Sequence, residues 1–449
     1  MLIGVSIFSL LIIFLSLEYL SSEARFSSAS LFSRIIPPEI TARSVREHSL
    51  AGREFLTRLI KKINPRRAVV SNPPASSIAT VPVSGQASTA VSKKTPATTV
   101  TLAAIKSCLA KPGNESGGCM DKLFSAFLKQ RSTADALALI ATYEQTDTQL
   151  RYSCHPVVHA VGRETFLKKK TIHDSFTACD QTCHSGCYHG AMERFLRGEK
   201  TDGNLARHIN EDEIKQKATT ACDPKSPARF RFQCLHGLGH ALLFSLDYKL
   251  EPVLATCDLL PTGWDRSSCY GGVFMENVFA AEPAKRDVSE QDYHYPCSKL
   301  DEHYKSDCYV MQTTRMSQMK LGARELFDEC RKTGAHTLAC IQSIGRDLSN
   351  DARINNPRPT AEHCELSRTD EEMRACIRGV IYALMDNTWD GQYAFPFCQT
   401  LSDPLQKNYC FAASAAYLDA TYETTKQAMA AQCEKYLPEP AACIEEAAP

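Results

Sequence analysis

The sequence predicts an all-α fold: a right-handed α-solenoid of helical hairpins of about 34 residues, each stapled by a disulfide between cysteines about a dozen residues apart. Three observations predict it. The chain has 20 cysteines, an even number, and most fall into pairs that recur at that interval. The first Cys of a pair closes an amphipathic helical stretch, as in Ala323 to Cys330, and after a short polar turn the second opens another, as in Cys376 to Met385. The third residue after the second Cys is small in most units: Gly190, Gly237, Gly272, Ser343, Gly379 and Ala413. A small residue there lets the neighbouring helix come close.

In chain order, residues 1–22 open with an apolar run, Leu2 to Leu17, closed by Glu18. That is short of the ~20 residues a spanning helix needs and reads as a signal peptide or signal-anchor. Its flanks disagree, since no Lys or Arg precedes the run while Arg25 and Arg34 follow it, and the ordered thiols outweigh that disagreement. Residues 23–68 are basic, with helical spacing at Phe55, Leu56, Leu59 and Ile60, and fit either an anionic membrane surface or a solvated juxtamembrane helix. Residues 69–101 shift to Pro, Ser and Thr and cannot bury enough apolar surface to offset ordering, so they read as a linker. Residues 102–449 carry the ladder.

The frame pairs Cys108–Cys119, Cys222–Cys234, Cys257–Cys269, Cys297–Cys308, Cys330–Cys340, Cys364–Cys376, Cys398–Cys410 and Cys433–Cys443. A bridge closing a loop of that size contributes roughly 3 kcal/mol in the chain-entropy model. Four cysteines depart from simple pairing. The frame has Cys179 close one helix and Cys187 open the next, which leaves Cys154–Cys183, one of three possible arrangements. The architecture is similar to tetratricopeptide and Sel1-like repeats, including exported disulfide-stapled Sel1-like proteins. That similarity covers architecture alone, because neither family's residue pattern is recognisable here.

Thiols in this number with regular spacing imply an oxidising, extracytoplasmic compartment: periplasm, cell surface or secretion. Formal net charge is +0, and no basic-aromatic pattern is present, so nucleic acid is not an expected partner. The chain lacks a phosphate-binding glycine loop, a GxSxG elbow and an HExxH motif. The expected partners are a membrane, through the N-terminal segment, and a protein or peptide on the solenoid face.

Histidines locate the chemistry. Of 13, eight lie between His155 and His240. Counted from the second Cys of each unit, His189 and Glu193 fall at positions two and six, as do His236 and His240; His155 and His159 follow Cys154 one position earlier, and Glu276 is seventh after Cys269. Residues four apart share a helix face, and equivalent positions of consecutive units lie side by side. His155, His159, His189, His236 and His240 are therefore expected to converge as ligands of a transition metal (Zn, Fe or Cu, with Mn also compatible), with Glu193 or Glu276 as general base. The expected activity is metal-dependent, hydrolytic or oxidative. The alternatives are a non-enzymatic binding scaffold with structurally packed histidines, or a metal-capture protein. Cys179, Cys183 and His184 form a CxxxCH spacing near that of haem attachment, or with Cys187 and His189 a zinc set; disulfide use fits the parity of the chain better. Units from Cys297 onward carry the ladder without these His and are expected to be scaffold.

Overall fold

The computed structural model describes residues 100–198, 211–280 and 283–447. The expected signal or anchor, basic segment and linker lie outside these residues up to position 99. Among the described residues the fold is all-α, without a strand, and no helix is long and apolar enough to cross a membrane.

Nineteen α-helices are described: α1 (Leu102–Leu109), α2 (Gly113–Leu128), α3 (Thr133–Thr146), α4 (Thr148–Lys169), α5 (Ile172–Ala178) and α6 (Thr182–Arg197). Then follow α7 (Glu211–Thr220), α8 (Ala228–Ser245), α9 (Leu250–Cys257), α10 (Gly263–Phe279), α11 (Glu302–Gln318), α12 (Ala323–Arg331) and α13 (Thr337–Ile354). The chain continues with α14 (Pro357–Cys364), α15 (Asp370–Thr388), α16 (Ala394–Thr400), α17 (Pro404–Tyr422), α18 (Lys426–Tyr436) and α19 (Ala441–Ala447).

Short and long helices alternate for a local reason. Polar turns supply N-caps to the longer ones: Thr262 and Asp265 form a capping box at α10, Thr369 caps α15 and Asp403 caps α17. Most disulfides then pin a shorter helix to the longer one beside that turn. Ten are present, and no cysteine is free. Eight join neighbours along the ladder, from Cys108–Cys119 to Cys433–Cys443. The irregular region holds Cys154–Cys183 and Cys179–Cys187. Cys297 departs from the hairpin rule: it lies in a run of turns after α10, so no helix precedes it in its unit.

The longer helices α2, α4, α6, α8, α10, α11, α13, α15, α17 and α19 pack on one another in chain order. Units are not confined to their neighbours, however. α6 also packs on α15 and α8 on α17, the Tyr188 and Trp389 rings lie 6.3 Å apart, and Arg353 of α13 pairs with Glu144 of α3 at 2.5 Å. Long helices of early and late units thereby border an open-mouthed cavity of about 2090 Å³, lined from α1 through α17.

Three of the long-helix pairs meet backbone to backbone. A Cβ on Gly162 would stand 1.9 Å from the Cys187 carbonyl oxygen, and one on Gly190 1.9 Å from that of His159, which ties α4 to α6. Gly239 and Gly272 do the same for α8 and α10, Gly345 and Gly379 for α13 and α15. The frame placed Gly190, Gly272 and Gly379; their partners Gly162, Gly239 and Gly345 lie elsewhere on the facing helix. Elsewhere the position stays small for other contacts: Ser343 bonds Thr313 across α11 and α13 at 2.6 Å.

Gly272→Ala should destabilise by about 2–4 kcal/mol, because its Cβ meets backbone that cannot yield. Gly118→Ala, with nothing near its Cβ, should be neutral or gain up to about 1 kcal/mol of helix propensity. Denaturant unfolding of the oxidised variants measures both. Non-reducing peptide mapping should recover a Cys154–Cys183 fragment and none joining Cys154 to Cys179.

Candidate metal centre

The glycine contacts decide what faces what. Because α4 and α6 touch at Gly162 and Gly190, His159 of one helix meets Glu193 of the other, with Nδ1 to Oε1 at 2.6 Å. Arg163, one turn beyond His159, donates from Nη1 to Glu193 Oε2 at 2.6 Å and from Nε to Asp121 at 2.9 Å. Burial alone would raise the Glu193 carboxyl, but the Arg163 charge and His159 overcome it and hold the group well below the usual carboxylate range. Glu193 is thus ionised and accepts, so His159 Nδ1 carries the proton.

His155 is fixed by a different device. The first turn of α6 is left-handed, with Cys183, His184 and Ser185 at φ of 52°, 55° and 61°. Such a conformation costs about 1–2 kcal/mol per non-glycine residue and persists only where its surroundings enforce it. Here Cys183 is bonded to Cys154, and its carbonyl accepts from His155 Nδ1 at 2.8 Å. A carbonyl cannot donate, so His155 also carries its proton on Nδ1. Both Nε2 atoms are then bare lone pairs, and they face each other at 3.0 Å.

The third ring sits between the helix pairs. His189 of α6 is 3% exposed, contacts Gln233 Oε1 through Nε2 at 3.3 Å and leaves a buried Nδ1 without a hydrogen-bond partner. Its ring lies 5.2 Å from His155 and 5.5 Å from His159. One ligand atom from each of the three lies within 4.8 Å of the others. His236 and His240 flank His189 on the other side, at 5.3 and 4.9 Å between rings. All five sequence-predicted histidines, with Glu193 and Glu276, line the one cavity.

Three of the rings are kept neutral. Burial first, then the neighbouring imidazoles, push His155, His189 and His236 well below the ordinary histidine range. A neutral imidazole whose other nitrogen is held by a carboxylate or carbonyl is the form that ligates a metal ion. Glu193 and Glu276 are not placed as free bases, because each oxygen of both is engaged: Glu276 Oε2 with His240 Nδ1 at 2.9 Å, and Oε1 with the Tyr248 hydroxyl at 3.0 Å.

Cys179, Cys183 and Cys187 are all in disulfides and offer no thiolate to haem or zinc. The same holds for a second potential ligand group, Glu144 with Cys154 and Cys183. His184 lines the same cavity with its ring 6.3 Å from that of His155, held neutral by burial and the Arg353 charge, its pKa down at about 3.

Sequence reasoning missed the far wall. Arg346, Asp347, Tyr382, Asp386 and Tyr417, all from units expected to be scaffold, line the same cavity. The signal was in the frame: Arg346 and Tyr382 are sixth after their second Cys, as Glu193 and His240 are, and Tyr417 is seventh, like Glu276. Asp386 is half-buried and accepts from Tyr417 at 2.8 Å and Tyr422 at 2.5 Å. Burial outweighs these bonds and pushes its carboxyl up to about 6.

No family model, curated protein or solved structure matches this chain. The site's chemistry therefore rests on its own geometry.

Asp386 gives a pH signature apart from the histidines. Its folded-state pKa is raised, so below about pH 4 both states are protonated and its contribution is full. Between about pH 4 and 6 only the folded state keeps the proton, so stability falls as pH rises and then levels. Asp386→Asn should remove that slope, on the order of 1–3 kcal/mol across the window, in denaturant titrations at stepped pH.

Proposed function

We propose that this protein is a metal-dependent enzyme whose centre is an all-histidine transition-metal site, His155, His159 and His189, opening on the large cavity. One observation carries the reading: two imidazole lone pairs point at each other at 3.0 Å, with both outer nitrogens committed as donors. Unbridged, that arrangement is repulsive; a shared cation makes it favourable. Two nitrogens bound at ~2.0–2.1 Å stand about 2.9 Å apart at a right angle and about 3.3 Å apart at a tetrahedral one. Imidazole without thiolate suits Zn²⁺, Fe²⁺ or Cu²⁺.

Three protein ligands leave a coordination position to water or substrate, the mark of a catalytic rather than a closed structural site. Bound there, such an ion lowers the pKa of water and polarises a carbonyl or phosphoryl oxygen, which favours hydrolysis. Glu193 then acts as a positioning residue: it fixes the His159 tautomer and is itself fixed by Arg163. The cavity, with polar groups on its far wall, supplies room for a substrate. The ten disulfides fit folding in an oxidising compartment, and we assign the protein to the extracytoplasmic side, tethered or released by its N-terminal segment. The hairpins in this reading form a right-handed solenoid that curls until early and late units touch.

Protein purified without chelator should hold a stoichiometric transition metal, measured by plasma mass spectrometry. His159→Ala should abolish retention, and Glu193→Gln should weaken metal affinity about 10–100-fold with the fold intact. Hydrolysis of a chromogenic ester should cease on chelation and return with the ion. Metal-free protein whose melting temperature ignores both chelator and added Zn²⁺ would overturn the reading.

A further inference from the structure

The two-histidine arm of the site just described has a counterpart. The pair α8–α10 repeats the glycine contact, the histidine spacing and the His–Glu bond of α4–α6. Glycines bring the backbones together, Gly239 and Gly272 standing for Gly162 and Gly190. His236 and His240 are one turn apart, as His155 and His159 are. His240 Nδ1 bonds Glu276 of the next long helix, as His159 Nδ1 bonds Glu193. The Nε2 atoms of His236 and His240 again face each other, at 3.3 Å, the separation of two ligands on a tetrahedral ion at ~2.0–2.1 Å. The Tyr248 hydroxyl on Glu276 takes the place of Arg163 on Glu193.

We infer that His236 and His240, the latter oriented by Glu276, hold a second transition-metal ion, so that the chain carries a two-ion centre with His189 between the two pairs. This rests on the first centre proposed above. The His189 ring stacks on His240 at 4.9 Å and 20° and meets His159 edge-on at 5.5 Å, so its one unpartnered nitrogen completes one ion's shell while its ring packs on the other's ligand. His155 and His159 lie 6.4 and 6.0 Å from His240 between ring centroids. One substrate in the cavity therefore reaches both ions. Paired ions of this kind clamp the attacking and leaving oxygens of a displaced ester or phosphoester, so that is the substrate class the geometry fits. The repeat also limits the number. The third glycine pair, α13–α15, carries Gln342 and Arg346 at the two His positions. Two ions are expected, not three.

The test uses the full oxidised chain, stripped by chelator, titrated with Zn²⁺ alone and freed of excess before ion counting. Wild type should retain two ions per chain, and His236→Ala/His240→Ala one. His155→Ala/His159→Ala should likewise retain one. Glu276→Gln, a milder change, should keep the first ion and weaken the second about 10–100-fold. Loading with Cu²⁺ should give two spins per chain with mutual dipolar broadening in the electron paramagnetic resonance spectrum. One ion in wild type, unaffected by His236→Ala/His240→Ala, would overturn the second centre and leave the first standing. No ion in wild type would overturn both. Glu276→Gln indistinguishable from wild type would also count against the second centre.

Discussion

Everything at this site depends on two long helices touching at glycine. A side chain reaches only so far, and the His159–Glu193 bond of 2.6 Å needs the backbones of α4 and α6 in contact. A single Cβ at Gly162 or Gly190 would meet a carbonyl oxygen at 1.9 Å and force the helices apart. The disulfides complement this contact: most fix a short helix against its long partner. The staple supplies the register, and the glycine converts register into proximity.

Proximity brings a cost that explains the chemistry. Five imidazoles share a buried volume, and three of them are driven well below their ordinary pKa by burial and by one another. Protons are therefore poor glue for facing nitrogens, and a metal ion is a good one. The anchoring groups, Glu193 and Glu276 among them, hold outer nitrogens so that inner ones converge. A packed structural cluster would gain nothing from leaving His189 Nδ1 buried and unsatisfied, a loss of about 1–3 kcal/mol.

The sequence made much of this legible because disulfide-paired helices repeat at a constant interval. Counting from each second Cys placed His189 with Glu193 and His236 with His240 on single faces, and the structure gathers them around one cavity. What it concealed has physical reasons. The left-handed turn at Cys183 to Ser185 contains no glycine to announce it, and it is this turn that aims a carbonyl at His155. The part played by Glu193 depends on Arg163, which lies on a different helix, α4, and no periodicity reports an ion pair between helices. Cys297 keeps the spacing of the ladder without a helix, because a disulfide needs only a short Cα separation, here 5.5 Å. The packing of α15 onto α6 joins units far apart in the chain, which a single repeat does not encode. Hence the late units, which carry Arg346 and Asp386 into the cavity, looked like scaffold.

The central claim is that imidazoles alone hold an ion here. X-ray absorption at the zinc edge of Zn²⁺-loaded, fully oxidised protein tests it most directly. The account predicts a first shell of nitrogen and oxygen at ~2.0–2.1 Å, strong imidazole multiple scattering and no sulfur. A sulfur shell near ~2.3 Å, or a spectrum of hydrated zinc without imidazole, would contradict it.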